Sequence, residues 1–159
     1  MQNKSHLTAI SRSKLSAPMQ YLLDNGALNT TVGLDYGSGR GHDADYIGMD
    51  KFDPYYTSGK IMEWDRDIHH DMLDMSSGYQ VITCNYVLNV IEDQAERDMV
   101  LLNIKMLLCD TGKAYITVRR DSHVQEGYTS KGTYQATIEL DLPVYHHAKG
   151  KYITYLLEK

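Results

Sequence analysis

The chain has 159 residues and a formal net charge of -5, with 42% hydrophobic and 23% charged residues. Such a length suits one domain with a core of its own. The acidic balance argues against a protein that coats nucleic acid by charge alone, and no apolar run reaches the roughly 20 residues of a bilayer span.

The opening "MQNKSHLTAI" lacks the apolar stretch of a secretory signal. Cys84 and Cys109, the two cysteines, sit in apolar sequence and read as reduced thiols of a cytoplasmic protein. "SAPMQYLLDNG" predicts a short helix, with Ser16 as its cap, Pro18 in the first turn and Gly26 as its end. "TTVGLDY" is a β-branched apolar run and predicts a buried strand ending at glycines. "HDADYIGM" allows at most two helical turns, and "KFD" a very short strand stopped by Pro54. "IHHDML" is open between a strand and a loop.

"QVITCNYVLNV" begins as a buried strand. "EDQAERDMVLLNIKMLL" predicts a helix with acids in its first turn and an apolar face of Met99, Leu102, Ile104, Met106 and Leu107, ended by "DTG". "KAYITVRR" predicts another strand. "DSHVQEGYTSKG" reads as a loop over the site. "GTYQATIELDLP" and "GKYITYLLEK" read as two final strands, an antiparallel pair at a sheet edge, with Pro143 between them.

This order predicts a mostly parallel α/β sheet whose ligands bind beyond the carboxyl ends of the strands. Those ends fall at Asp35–Gly41, Asp53, Asn85 and Arg119–Asp121. The first of them carries three alternate glycines. A dinucleotide fingerprint started at Gly37 would need glycine where His42 stands, and no P-loop string occurs.

What does occur, D-x-G-x-G-x-G over Asp35 to Gly41, resembles the first motif of class I S-adenosylmethionine (SAM)-dependent methyltransferases. The resemblance implies a trimmed Rossmann-like sheet with SAM as cofactor, its methionine half wrapped by Asp35, Tyr36, Gly37, Gly39 and Gly41. It also implies an acid at the end of the second strand that accepts hydrogen bonds from the ribose hydroxyls. Asp53, followed by Pro54, lies 18 residues after Asp35 (53 − 35) and suits that role better than Asp50. Ending the strand at Asp50 would leave too little chain for a parallel crossover, which needs about a dozen residues. "ITCNYVLNVIED" looks like the family's fourth motif, which would set Asn85 and Tyr86 against the methionine part and the incoming substrate. Asp71 would meet the adenine amino group and Met72 would pack on the ring.

Taken together, "ISRSKLS", "LDYGSGRG", "DPYY" and "NYVLNVIED" resemble the methyltransferases found alongside DNA phosphorothioation systems and small bacterial and phage relatives, over roughly residues 10 to 120. The chain then divides into an N-terminal helical segment (1–28), a cofactor-binding core (29–120) and a C-terminal loop and strand pair (121–159).

No N/D-P-P-Y/F string follows the fourth-motif strand, and neither cysteine follows a proline. Both facts count against base methylation of nucleic acid and leave a small molecule, or an accessible group on a larger one, as acceptor. Tyr86, Asn89 and Asp121 are the base candidates at the crevice rim, and none is singled out. Arg12, Lys14 and Arg120 are surface charges or hold an anion. His69/His70 and His146/His147 are adjacent pairs whose side chains point to opposite faces of a strand, so no metal site is expected. The rival to an enzyme is a SAM-binding protein without turnover.

Overall fold

The computed structural model describes residues 13–29, 32–53, 78–121, 126–130 and 132–159. Helix α1 spans Ala17–Asp24, with Pro18 in its first turn and Gly26 at φ 74 just past its end. Ser16 holds the N-cap position, but its hydroxyl makes no cap bond. It donates instead to Asp43 Oδ2 at 2.6 Å, and its backbone N–H donates to Oδ1 at 3.0 Å. The charge-assisted bonds to the carboxylate turn this serine toward Asp43 rather than over the end of its own helix.

Strand β1 (Gly33–Tyr36) is buried along its length. Helix α2 (His42–Ile47) follows and is bounded by Gly41 and Gly48, both left-handed. The crossover to β2 (Asp50–Phe52) is thus a single six-residue helix. Strand β3 is Tyr79–Asn85, and a 3₁₀ turn at Leu88–Val90 leads to helix α3 (Gln94–Leu107). Asp93 caps α3 by accepting from the Ala95 N–H at 2.9 Å.

The face of α3 that packs inward differs in part from the one expected: Ile104 is buried and Leu107 packs on the core, as expected. Val100 and Ile104 are buried, whereas Met99, Leu102 and Met106 are 55%, 51% and 67% exposed. At 3.6 residues per turn Leu102 lies about 200° around the axis from Val100. The three exposed residues therefore form a stripe on the far side.

Strand β4 (Leu108–Arg119) starts directly where α3 stops, and Asp110–Gly112 lie inside it at a register shift rather than in a separate turn. Two short strands, β5 (Gly127–Tyr128) and β6 (Tyr134–Gln135), pair with each other alone, so the segment after Asp121 contains a small ribbon. Strands β7 (Val144–Ala148) and β8 (Tyr152–Glu158) complete the chain.

The main sheet has the order β2-β1-β3-β4-β8-β7. The first four strands are parallel, β8 is antiparallel to β4, and β7 is antiparallel to β8. The expected C-terminal pair is present, but its edge member is β7 rather than the "TYQATI" run. A tight turn after Ala148 joins β7 to β8 and fills β8's free edge. Ile138, Leu140 and Leu142, which gave that run its alternation, pack on the core without joining the ladder.

Each face of the sheet is covered. Met19 and Leu22 of α1 pack with Val81 and Tyr115 on one side, and Ile82, Ala114 and Ile116 join Val100 and Ile104 of α3 on the other. Period-two strands at the centre of a sheet send alternate residues to the two layers, which is why both β3 and β4 read as near-continuous apolar runs. Among the described residues no helix is long and apolar enough to cross a membrane.

Candidate functional site

The carboxyl ends of β1, β2, β3 and β4 open onto a cavity of about 360 Å3. Of the residues expected there, Asp35, Tyr36, Gly37, Gly39, Asp53, Asn85 and Tyr86 line it, with Arg119 and Asp121 on the far side. Gly41 stands behind the wall. It is the left-handed residue that starts α2 (φ 76), and a Cβ there would meet the Lys51 side chain at 2.7 Å. Pro54, Asp71, Met72, Arg12 and His69/His70 lie outside the described residues.

The glycine loop is fixed by backbone bonds to the next strand. The N–H groups of Gly37 and Ser38 both donate to the Phe52 carbonyl, at 2.7 and 3.0 Å. Gly39 N–H donates to Asp53 Oδ2 at 2.8 Å, so the acid after β2 holds the middle of the loop. Asp50 is engaged elsewhere and accepts from the Tyr79 hydroxyl at 2.8 Å. Gly37 has φ 77, and a Cβ on it would stand 2.2 Å from Val87 Cγ2. Glycine is required there both by conformation and by space.

Asp35 is buried, 4% exposed, and accepts from the Thr83 hydroxyl at 2.8 Å. Loss of water raises its carboxyl to about 7; the Thr83 bond opposes the rise and Asp43 and Asp53 add to it. The same burial pushes the Cys84 thiol up, with Asp35 and Asp53 adding to the effect. This thiol is therefore inert core.

The end of β3 carries two unusual features. Tyr86 has φ 61, a left-handed conformation on a bulky residue, held by its N–H donating to the Thr117 carbonyl at 2.9 Å. Such strain concentrates where a chain must present a group to a ligand. The Asn85 side chain has both amide atoms buried with no hydrogen-bond partner. Asn89 is fully buried; its Nδ2 donates to Gln135 Oε1 at 3.1 Å and its Oδ1 has no partner. Buried amides left open are costly unless something enters to satisfy them.

Several lining residues were not legible in the sequence: Asp43, Gln135, Lys151 and Tyr152. Asp43 arrives through α2 and Gln135 through the β5–β6 ribbon, and neither carries a motif. Of the base candidates, Asp121 is occupied, its Oδ2 accepting from Arg119 Nε at 2.9 Å and Nη2 at 2.5 Å. Asn89, an amide, offers no titrating group. Arg120 does not line the cavity and donates to the Tyr155 hydroxyl at 2.9 Å. His146 stacks on Tyr21 with ring centroids 3.5 Å apart.

No protein-family model and no curated protein sequence matches the chain. Solved structures do. The N-methyltransferase NodS from Bradyrhizobium japonicum WM9, in complex with S-adenosyl-L-homocysteine (SAH), aligns with a TM-score of 0.59 over 97% of this chain and 96% of that one, at 13% identity. A SAM-dependent methyltransferase from Aquifex aeolicus aligns with 0.57 over 98% and 97%, at 12% identity. The 1,6-didemethyltoxoflavin-N1-methyltransferase of Burkholderia thailandensis, with 1,6-didemethyltoxoflavin and SAH bound, aligns with 0.55 over 88% and 76%, at 15% identity. The chain thus has the Rossmann-like fold of SAM-dependent methyltransferases, a mostly parallel sheet with an antiparallel C-terminal strand pair.

Proposed function

We propose that the protein binds SAM in this cavity and transfers its methyl group to a small acceptor or an accessible group on a larger one. The observation that carries the reading is the Gly39–Asp53 bond. It joins the two sequence features that the resemblance assigns to one cofactor, the glycine loop and the acid after the second strand, at one cavity wall. The fold neighbours, several with SAH bound, support the same cofactor.

The lining fits such a ligand in chemistry. Asp43 and Asp53, joined by Asp35 once it ionises, outweigh Arg40 around the loop, where a cationic ligand is favoured. Asp53 Oδ2 accepts from Gly39, and a carboxylate is the acceptor type that ribose hydroxyls call for. Asn85 offers a free donor and a free acceptor to the methionine part. Gly37 gives close backbone approach. Bound there, SAM supplies an electrophilic sulfonium methyl. The chain's part is to hold the acceptor in line beside Asn85 and Tyr86, and to exclude water with α1, which Asp43 latches over the rim through Ser16. The finer likeness to phosphorothioation-associated methyltransferases rests on the four sequence pieces alone.

The test is calorimetric titration with SAM, SAH and NAD, followed by assay of acceptor-dependent SAH release. Binding of SAM and SAH but not NAD is expected. Absence of SAM binding would overturn the reading.

A further inference from the structure

The cavity is divided in charge. On the glycine-loop side stand Asp35, Asp43 and Asp53 with one cation, Arg40; on the opposite side stand Arg119 and Lys151, with Asp121 the only carboxylate among the described residues. That carboxylate bonds Arg119 through one oxygen. Lys151 is exposed and enters no ion pair among the described residues. Among the described residues this end of the cavity thus carries two cations against one carboxylate, in a chain of net charge -5.

The position is set by topology. Lys151 precedes β8 where Tyr152 pairs with Arg119 of β4. In the order β1-β3-β4-β8 this is three strand spacings from the glycine loop, about 14 Å. Between the two ends lie three buried polar atoms without partners, both amide atoms of Asn85 and Asn89 Oδ1. Asn89 is 0% exposed; its amide nitrogen donates one hydrogen to Gln135 and its Oδ1 has no partner, so it presents an acceptor.

We propose that the β4–β8 end of the cavity is the acceptor subsite and takes a small molecule carrying a carboxylate or phosphate. Arg119 and Lys151 hold the anion, and Asn89 Oδ1 accepts a hydrogen bond from an N–H or O–H of the same molecule. The proposal rests on SAM occupying the glycine-loop end, and it names the class of acceptor for that site. Arg119 keeps guanidinium donors beyond the two given to Asp121, and a planar fork suits either anion.

The test is nitrogen-15 NMR on the whole chain saturated with SAH. Sodium phosphate and sodium acetate are titrated in, with acetamide as the neutral counterpart of acetate. The readouts are Arg119 Nε–H and the Asn89 side-chain amide. Both anions are expected to move the Arg119 signal, with acetamide leaving it in place. Lys151→Gln weakens the phosphate response at least about 3-fold, and Lys149→Gln, outside the lining, leaves it unchanged. No response to either anion, an equal response to acetamide, or indifference to Lys151→Gln overturns the proposal. If SAH alone moves Arg119 and blocks both anions, the cations serve the cofactor's own carboxylate and the acceptor assignment falls. A failure of SAH itself to bind is read separately, from unmoved Gly37 and Gly39 amides, and sinks the cofactor reading and with it the acceptor assignment.

Discussion

Replacing Asp35 by Asn gives the sharpest test of the electrostatics of this cavity. The substitution preserves shape and leaves Oδ1 to accept the Thr83 hydroxyl. In the folded chain the carboxyl is raised from 3.8 to about 7 by burial. Between those two values the folded state holds a proton that the unfolded state releases, so this group's contribution to stability falls as pH rises through the window. Above pH 7 the cost is complete. About three units correspond to roughly 4 kcal/mol at most, and the opening of the site onto a cavity reduces this to about 2 kcal/mol. Asn pays no such cost. Asp35→Asn is expected to raise Tm by about 4–8 °C at pH 8 for a domain of this size, with the gain fading to nearly nothing at pH 4. The same variant binds cationic SAM more weakly, with a smaller loss for uncharged-sulfur SAH. Thermal unfolding across pH, with calorimetry at pH 8, measures both. An equal Tm change at pH 4 and pH 8, or a loss of stability at pH 8, would refute the reasoning.

The wild-type chain should bind SAM more tightly as pH rises through about 7 and Asp35 ionises, a trend that calorimetry at pH 6 and pH 8 reads directly. Asp53→Ala removes the Gly39 contact and the ribose acceptor, and is expected to weaken SAM by about 1–3 kcal/mol; unchanged affinity would take Asp53 out of the site. Gly37→Ala places a methyl 2.2 Å from Val87 at φ 77, and should cost about 1–3 kcal/mol of stability in denaturant unfolding, with Val87→Ala restoring only the steric part. Ile104→Ala should cost about 2–5 kcal/mol, while Leu102→Ala, on the exposed stripe, stays within about 0.5 kcal/mol; similar losses at both would reverse the assignment of the α3 face.

The features read most directly from sequence were those built within one short stretch. The alternate glycines permit a left-handed loop, and all three adopt positive φ, while Asp53 follows β2 closely enough for counting to place it. The inward face of α3 was less accessible, because methionine and leucine read as core in composition, while the choice between Val100 and Leu102 is made by where the sheet lies. Strand β7 follows a proline and carries two histidines, so it lacks the apolar alternation of "TYQATIELDL". Its pairing is decided by the turn to β8. Ser16 meets Asp43 and Asn89 meets Gln135 across 27 and 46 residues of chain. Neither contact has a local signature, and both exist only once the sheet has assembled.

Strand β8 comes after β7 in the chain yet lies between it and β4. Every pairing it makes with β4 joins residues more than 30 apart, from Arg119 with Tyr152 to Lys113 with Glu158. During synthesis, β1, β3 and β4 therefore emerge with one flank of the sheet open, and it stays open until residue 158 has left the ribosome. Non-local closure of this kind is slow, and an open flank is a target for unwanted pairing. The β7–β8 hairpin, closed by local contacts alone, can form first and dock as one piece. The rate of that docking, rather than of any helix, should then set how quickly a newly made chain escapes aggregation.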